Sequence, residues 1–144
     1  MTTLWLVRHA RPLVASGVCY GALDVPADAQ DTMSCAQALA DVLPRGIAIR
    51  TSPLQRCEQL TQILRGLRPD LAHNTSVDAR LAEMDFGRWE GQRWDAIART
   101  EFDGWTDAFP TWRCGGAESV QGFMARVGAV WDETRAQQQP TVWI

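Results

Sequence analysis

The sequence predicts an α/β domain, a three-layer sandwich whose mostly parallel central sheet carries helices on both faces. Leu4–Val7 is a run of four apolar residues, which is typical of a strand buried on both faces. An amphipathic helix separates it from a second apolar strand, Ile47–Ile49, and this order predicts a right-handed parallel crossover. With 144 residues the chain is long enough for one domain and its core, so residues 1–144 are assigned to a single domain.

The remaining elements follow from periodicity and from residues that start or stop helices. Helices are predicted over 28–42, 52–66, 92–101 and from Ser119 onward, with a short edge strand near 76–77 and loops over 13–27 and 102–116. Asp28 is expected to cap the first helix. Ser52, followed by Pro53 and Gln55, has the pattern of a capping box for the second.

The last four residues, Thr141–Ile144, read as the start of another buried strand. A domain does not normally finish inside an apolar strand, so this segment lies at a sheet edge or the sheet is cut short. We expect a domain that is truncated in its C-terminal strands. A sheet edge left open at that end would favour self-association, so a homodimer is also expected.

Composition and charge exclude several classes of partner. The net charge of −3 argues against a nucleic acid or an anionic membrane, and no apolar run approaches the ~20 residues of a membrane span. The four cysteines are far apart and form no C-x-x-C pair, so neither a metal site nor a cofactor is expected. Free thiols and the absence of a signal peptide favour a cytoplasmic protein.

Three stretches carry side chains suited to phosphoryl transfer. Arg8 and His9 follow the first strand, where open α/β sheets place their active sites, although a basic solvated turn has the same pattern. Arg56 lies in the first turn of a helix, whose free N–H groups favour anions; the alternative is a surface ion pair.

The third stretch holds Glu83, Asp85 and Glu90 among apolar and aromatic residues. Apolar surroundings raise the pKa of a carboxyl group and make it a general acid, whereas the alternative is a solvated loop with aromatic anchors. A neutral imidazole, guanidinium groups and such an acid could together transfer a phosphoryl group without a metal.

Four motifs in order resemble those of the histidine phosphatase superfamily, with its phosphoglycerate mutase-like fold. They are Leu6–Ala10, Ser52–Arg56, Leu81–Gly91 and Gly115–Ser119. Ala10 stands where the family usually has glycine, and the last motif carries one extra residue.

The resemblance implies a phosphatase that acts on a small phosphomonoester. It makes His9 the phosphorylated nucleophile, Arg8 and Arg56 the phosphate clamps, and Glu83 the general acid and base. The segment 19–26, which contains the substrate-binding candidates Tyr20 and Gly21, is similar to that of α-ribazole phosphatases, so α-ribazole 5′-phosphate of cobalamin biosynthesis is a candidate substrate. A phosphoglycerate mutase and a non-catalytic phosphate-binding relative are the alternatives.

One departure from the family concerns its second pocket histidine, which follows the strand after the last long helix. The sequence ends at Ile144 in that strand, and His73 lies at the wrong place to substitute. We therefore expect the chain, taken as a whole polypeptide, to be a weak phosphatase of reduced stability. The tryptophan-rich segment 89–112 is either a substrate lid that stacks on an aromatic group or local core.

Overall fold

The computed structural model describes residues 3–144 and shows a parallel sheet of four strands in the order β1-β4-β2-β3. The strands are β1 (Leu4–Leu6), β2 (Ala48–Thr51), β3 (Thr75–Val77) and β4 (Thr141–Trp143). β4 pairs with β1 on one side and with β2 on the other, so the last strand is central. The alternative that placed this segment at a sheet edge is therefore wrong.

Helices cover both faces of the sheet, as predicted. They are α1 (Ala29–Val42), α2 (Gln55–Leu67), α3 (Arg99–Asp107) and α4 (Val120–Gln137). α1 and α2 pack on one face, where Ala36 and Leu60 meet Ile49 and Val142 in the main core. Because side chains alternate along a strand, Trp143 points to the other face. There it contacts Trp131 of α4, with the ring centroids 6.5 Å apart.

Local predictions differ from the structure in three places. Leu6 is 73% exposed, so the prediction of a strand buried on both faces is wrong for the end of β1. Ser52 does not cap α2, since Leu54 holds the cap position and Ser52 accepts its N–H at 3.2 Å instead. The helix predicted over 92–101 is replaced by a 3₁₀ turn, Trp94–Ala96, and by α3, which extends into the predicted loop 102–116.

A second core lies beside the sheet and is built mainly from aromatic residues. Trp89 is 2% exposed at its centre, and Phe86, Phe102 and Trp105 have ring centroids within 6.5 Å of the Trp89 ring. This aromatic core supports the loops that approach the carboxyl ends of the strands. Among the described residues, no helix is long and apolar enough to cross a bilayer.

Candidate active site

A cavity of about 560 Å³ opens where β1, β2 and β4 end. Five of the predicted site residues line it: Arg8, His9, Tyr20, Arg56 and Glu83. They come from separate stretches of sequence, so the sheet topology is what brings them to one place. Parallel strands deliver their carboxyl ends to the same edge, as the sequence analysis assumed.

His9 is half-buried in this cavity and has a defined tautomer. Its Nδ1 lies 2.7 Å from the carbonyl oxygen of Ala10. A carbonyl oxygen can only accept, so Nδ1 carries the proton and the lone pair is on Nε2. Burial lowers the pKa of His9, and the guanidinium groups of Arg56 and Arg8 lower it further. The imidazole is therefore neutral at neutral pH, the state in which it can attack an electrophile.

Arg56 is the buried cation of the cavity, with 1% of its surface exposed. Its Nη1 donates to the carbonyl oxygen of Leu23 at 3.0 Å, and its Nη2 donates to that of Gly21 at 2.6 Å. Its Nε is also buried and has no partner among the described residues. The two backbone acceptors fix the plane of the guanidinium, and the positive charge of Arg56 acts on His9 in the same cavity.

The loop of residues 20–24 fixes this guanidinium, and Glu90 fixes the loop. The Glu90 carboxylate accepts N–H groups from Gly21, Ala22 and Leu23 at 2.9–3.1 Å and a fourth from Phe86 at 3.0 Å. Glu90 was one of three acids considered in its stretch. It anchors a loop and does not line the cavity.

Asp24, at the end of the same loop, ties the loop to the start of α2. Its carboxylate accepts the backbone N–H of Gln55 at 2.7 Å, and its carbonyl oxygen accepts the Gln55 side chain at 2.6 Å. Gln55 therefore bonds to a distant loop, and the reciprocal bond of the predicted capping box does not form. The 20–24 loop therefore contacts both Arg56 and the residue before it, Gln55.

Glu83 lines the cavity but is exposed. Of the two alternatives for its stretch, a solvated loop with aromatic anchors fits Glu83 better than a carboxyl group shielded by apolar neighbours. Its Oε1 accepts the N–H of Met84 at 2.9 Å. Arg126 of α4 holds its backbone by donating to the carbonyl oxygens of Arg80, Ala82 and Glu83, and Glu118 pairs with Arg126 at 2.7 Å.

The two candidates of the 19–26 segment have different positions. Tyr20 lines the cavity, and the Arg56 guanidinium lies 5.4 Å from its ring centroid. Gly21 is buried and is not among the residues that line the cavity, so its substrate-binding role stays a prediction. A Cβ at Gly21 would collide with the carbonyl oxygen of Met84, which explains why this close approach requires glycine.

Sequence reasoning missed several residues of the cavity wall. Phe123 has the spacing of a core residue on the last helix, yet it lines the cavity, as do Ser52 and Cys57. Of the tryptophans in segment 89–112, Trp94 lines the cavity, whereas Trp89, Trp105 and Trp112 belong to the second core. A helical or aromatic pattern shows that a face is apolar, but it does not show whether protein or ligand covers that face.

The cysteines are free thiols, as predicted. Burial raises the pKa of Cys57, which keeps this thiol protonated beside Arg56. Among residues 3–144, no group of three or more metal-ligating side chains is placed to hold a metal ion. His73, predicted to be a surface histidine, is exposed at the end of the 3₁₀ helix Pro69–Asn74.

The family model of the histidine phosphatase superfamily (branch 1) matches residues 4–144. The chain belongs to the histidine phosphatase superfamily. Members of this superfamily are phosphatases or mutases. No curated protein matches the chain significantly.

Several solved structures share this fold. A mycobacterial glucosyl-3-phosphoglycerate phosphatase is 23% identical, with a TM-score of 0.76 over 96% of this chain and 71% of its own. A phosphoglycerate mutase from Thermus thermophilus is 25% identical, with a TM-score of 0.75 over 97% of this chain and 75% of its own. A protein described as mycobacterial hydrolase 2 is 23% identical, with a TM-score of 0.75. The match to that protein covers 96% of this chain but only 64% of the length of the other.

Proposed function

We propose that this chain hydrolyses a phosphomonoester through a phosphohistidine intermediate on His9. The observation that carries the proposal is the fixed tautomer of His9, whose Nδ1–H is bound by Ala10 while a neutral Nε2 is free to attack. Arg8 and Arg56, which line the same cavity and act electrostatically on His9, support a phosphoryl site next to that nitrogen.

The first half of the reaction transfers the phosphoryl group to the protein. Arg8 and Arg56 bind its equatorial oxygens and stabilise the charge that develops in the transition state. The Nε2 lone pair of His9 forms the N–P bond while the P–O bond to the alcohol breaks. Glu83, protonated at this point, donates its proton to the departing alkoxide.

The second half regenerates the protein. Water attacks the phosphorus atom of phosphohistidine, the N–P bond breaks, and its electron pair returns to Nε2. Glu83, now a carboxylate, accepts a proton from the attacking water, and inorganic phosphate leaves. Glu83 is suited to both steps because it is exposed at the cavity and can exchange protons with solvent.

Two further candidates for the function remain. A mutase would return the phosphoryl group to a second alcohol, and one similar structure is a phosphoglycerate mutase. A non-catalytic relative would bind phosphate only, and the single histidine among the residues that line the cavity favours this alternative.

The identity of the substrate is a separate proposal. The 20–24 loop holds Arg56 through backbone carbonyl groups, and these contacts do not depend on the alcohol that is attached to the phosphoryl group. This compound therefore stays a candidate, together with the role in cobalamin biosynthesis and the cytoplasmic location. A homodimer is likewise a proposal, although the last strand, whose edge was expected to be open, is paired on both sides.

Trapping of the intermediate tests the proposal. The chain is mixed with ³²P-labelled acetyl phosphate and quenched in alkali, and the label is expected on His9. The His9→Gln variant should lose the label and the hydrolysis of p-nitrophenyl phosphate, whereas the matched His73→Gln variant should keep both. Labelled protein that passes its phosphoryl group to monophosphoglycerate would indicate a mutase, and an unlabelled chain that still binds phosphate would indicate the non-catalytic alternative.

A further inference from the structure

Four of the side chains that line the cavity are aromatic. Tyr20, Phe86, Trp94 and Phe123, here called the aromatic wall, all line the 560 Å³ cavity and are all partly exposed. They come from four separate segments of the chain, so no single hydrophobic stripe accounts for them. A phosphoryl group occupies only a small part of a cavity of this size, which is in the range of sites for drug-sized ligands.

The aromatic wall is held in position by its neighbours. The rings of Phe86 and Trp94 meet edge to face, with centroids 5.5 Å apart and planes at 85°. Behind them, the buried Trp89 lies 6.5 Å from Phe86 and 6.4 Å from Trp94, centroid to centroid. A wall supported in this way loses little conformational entropy when a ligand binds.

The two outer rings of the aromatic wall are fixed by arginines. Arg56 lies 5.4 Å from the ring centroid of Tyr20, and Arg126 lies 4.8 Å from that of Phe123. One side of each ring is therefore covered by protein. The exposed surface of the wall is presented to the cavity.

The positively charged side chains that line the cavity lie near His9, where the phosphoryl group would bind. Among the described residues that line it, the cations are Arg8 and Arg56, and the electrostatic effect of both on His9 shows that they lie near it. No further cation of this lining is available for a second anionic group on the substrate. Arg113 lines a neighbouring cavity, which shares Glu83 with this one.

We propose that the alcohol of the substrate carries an aromatic ring, which packs against the aromatic wall, and that Trp94 is the residue that selects it. This inference rests on the proposed function and specifies its substrate class. An indole offers a large flat surface, and an aromatic pair is stabilised beyond the effect of buried area alone. A compact phosphate with a second anionic group, such as phosphoglycerate, would leave this wall in contact with water.

Binding of non-hydrolysable phosphonates tests the inference without requiring turnover. By calorimetry we expect benzylphosphonate to bind about tenfold more tightly than methylphosphonate, because only the benzyl compound reaches the wall. Trp94→Ala should reduce this preference to about threefold or less, while Trp94→Phe should retain most of it. Trp131→Ala, which alters an exposed tryptophan outside the cavity, is the matched control and should leave the preference unchanged.

Three outcomes would overturn the inference, and they can be told apart. Equal binding of the two phosphonates to the unmodified chain would refute the aromatic substrate and leave the proposed function standing. Tighter binding of phosphonoacetate than of benzylphosphonate, lost in Arg113→Ala, would show that a second anion is recognised instead. Phosphonate binding that is unchanged in Arg56→Ala would refute the phosphoryl site and the proposed function with it.

Discussion

Arg56 and Glu83 face the same cavity, but Arg56 is enclosed by protein and Glu83 is in contact with solvent. Arg56 is 1% exposed, and two of its nitrogens are bound by backbone carbonyl groups of the 20–24 loop. Glu83 is exposed, and Arg126 holds the backbone of its loop, not its carboxylate. The difference matches the two tasks: every substrate presents the same phosphoryl group, whereas a proton donor must exchange with water and adapt to the leaving group.

The largest effect is expected from the loss of Arg56, the site residue that is enclosed by protein. We expect Arg56→Ala to lower kcat/KM for p-nitrophenyl phosphate about 10³-fold, because a preorganised charged donor is lost. The carbonyl groups of Gly21 and Leu23 would also lose their partner, at a cost of about 1–3 kcal/mol in the free energy of unfolding. Steady-state kinetics and urea unfolding measure the two effects. A variant that loses stability but keeps kcat/KM would show that Arg56 is structural only.

The Glu83→Gln substitution tests whether the exposed carboxyl group of the site acts as the proton donor. A glutamine cannot donate a proton to an alkoxide, so single-turnover phosphorylation of His9 by benzyl phosphate should slow about 10²-fold or more. p-Nitrophenolate leaves without protonation, so phosphorylation by p-nitrophenyl phosphate should be affected much less. The free energy of unfolding should change by less than about 0.5 kcal/mol, as for other exposed sites. Equal losses in the two phosphorylation rates would contradict the role of Glu83 as the acid.

Glu90 does not line the cavity, but it anchors the loop that holds Arg56. The Glu90→Gln substitution should therefore weaken the hold on Arg56 without altering the lining of the cavity. A carboxylate serves four N–H groups here, and an amide oxygen serves about two, so the 20–24 loop should loosen. We expect the Kd for inorganic phosphate to rise about tenfold, equivalent to about 1.4 kcal/mol. Glu58→Gln, at an exposed position of α2, is the control. An unchanged Kd for phosphate in Glu90→Gln would show that the 20–24 loop does not determine the position of Arg56.

The smallest effect is expected from Arg8, which is exposed and precedes His9 in the sequence. His9 must be neutral to attack, so phosphorylation should fail as the pH drops through its pKa, which is held below the ordinary value. Arg8→Met removes one cause of this lowering, so the acid limb of the rate profile should move to higher pH. Single-turnover phosphorylation between pH 4 and 8 measures it. An acid limb that stays in place or moves to lower pH would contradict the assignment of Arg8 as one cause of the lowered pKa of His9.

The sequence was sufficient for what depends on neighbouring residues. Asp28 was recognised as a helix cap, and it accepts the N–H of Asp31 at 2.9 Å. The position of Arg56 in the first turn of α2 followed from the proline and serine before it. The order of strands and helices predicted the edge of the sheet at which His9 and Arg56 meet.

Contacts between distant segments were not predictable in the same way. The N–H donors to Glu90 on the 20–24 loop lie 67–69 residues earlier in the chain, so its local sequence suggested an acid and not an anchor. Phe123 has the spacing of a core residue, and only the tertiary structure shows that its face borders a cavity. Leu6 belongs to an apolar run, but a run does not reveal whether a neighbouring strand or helix covers it.

The hydrogen bond between His9 and Ala10 also determines which isomer of phosphohistidine can form. With Nδ1 engaged at 2.7 Å, the phosphoryl group has to be attached to Nε2, which gives the tele isomer and not the pros isomer. The phosphoramidate would then be labile to acid and stable to alkali, with the ³¹P chemical shift of a tele-phosphohistidine. Of two antibodies specific for the two isomers, only the one against tele-phosphohistidine would recognise the phosphorylated chain.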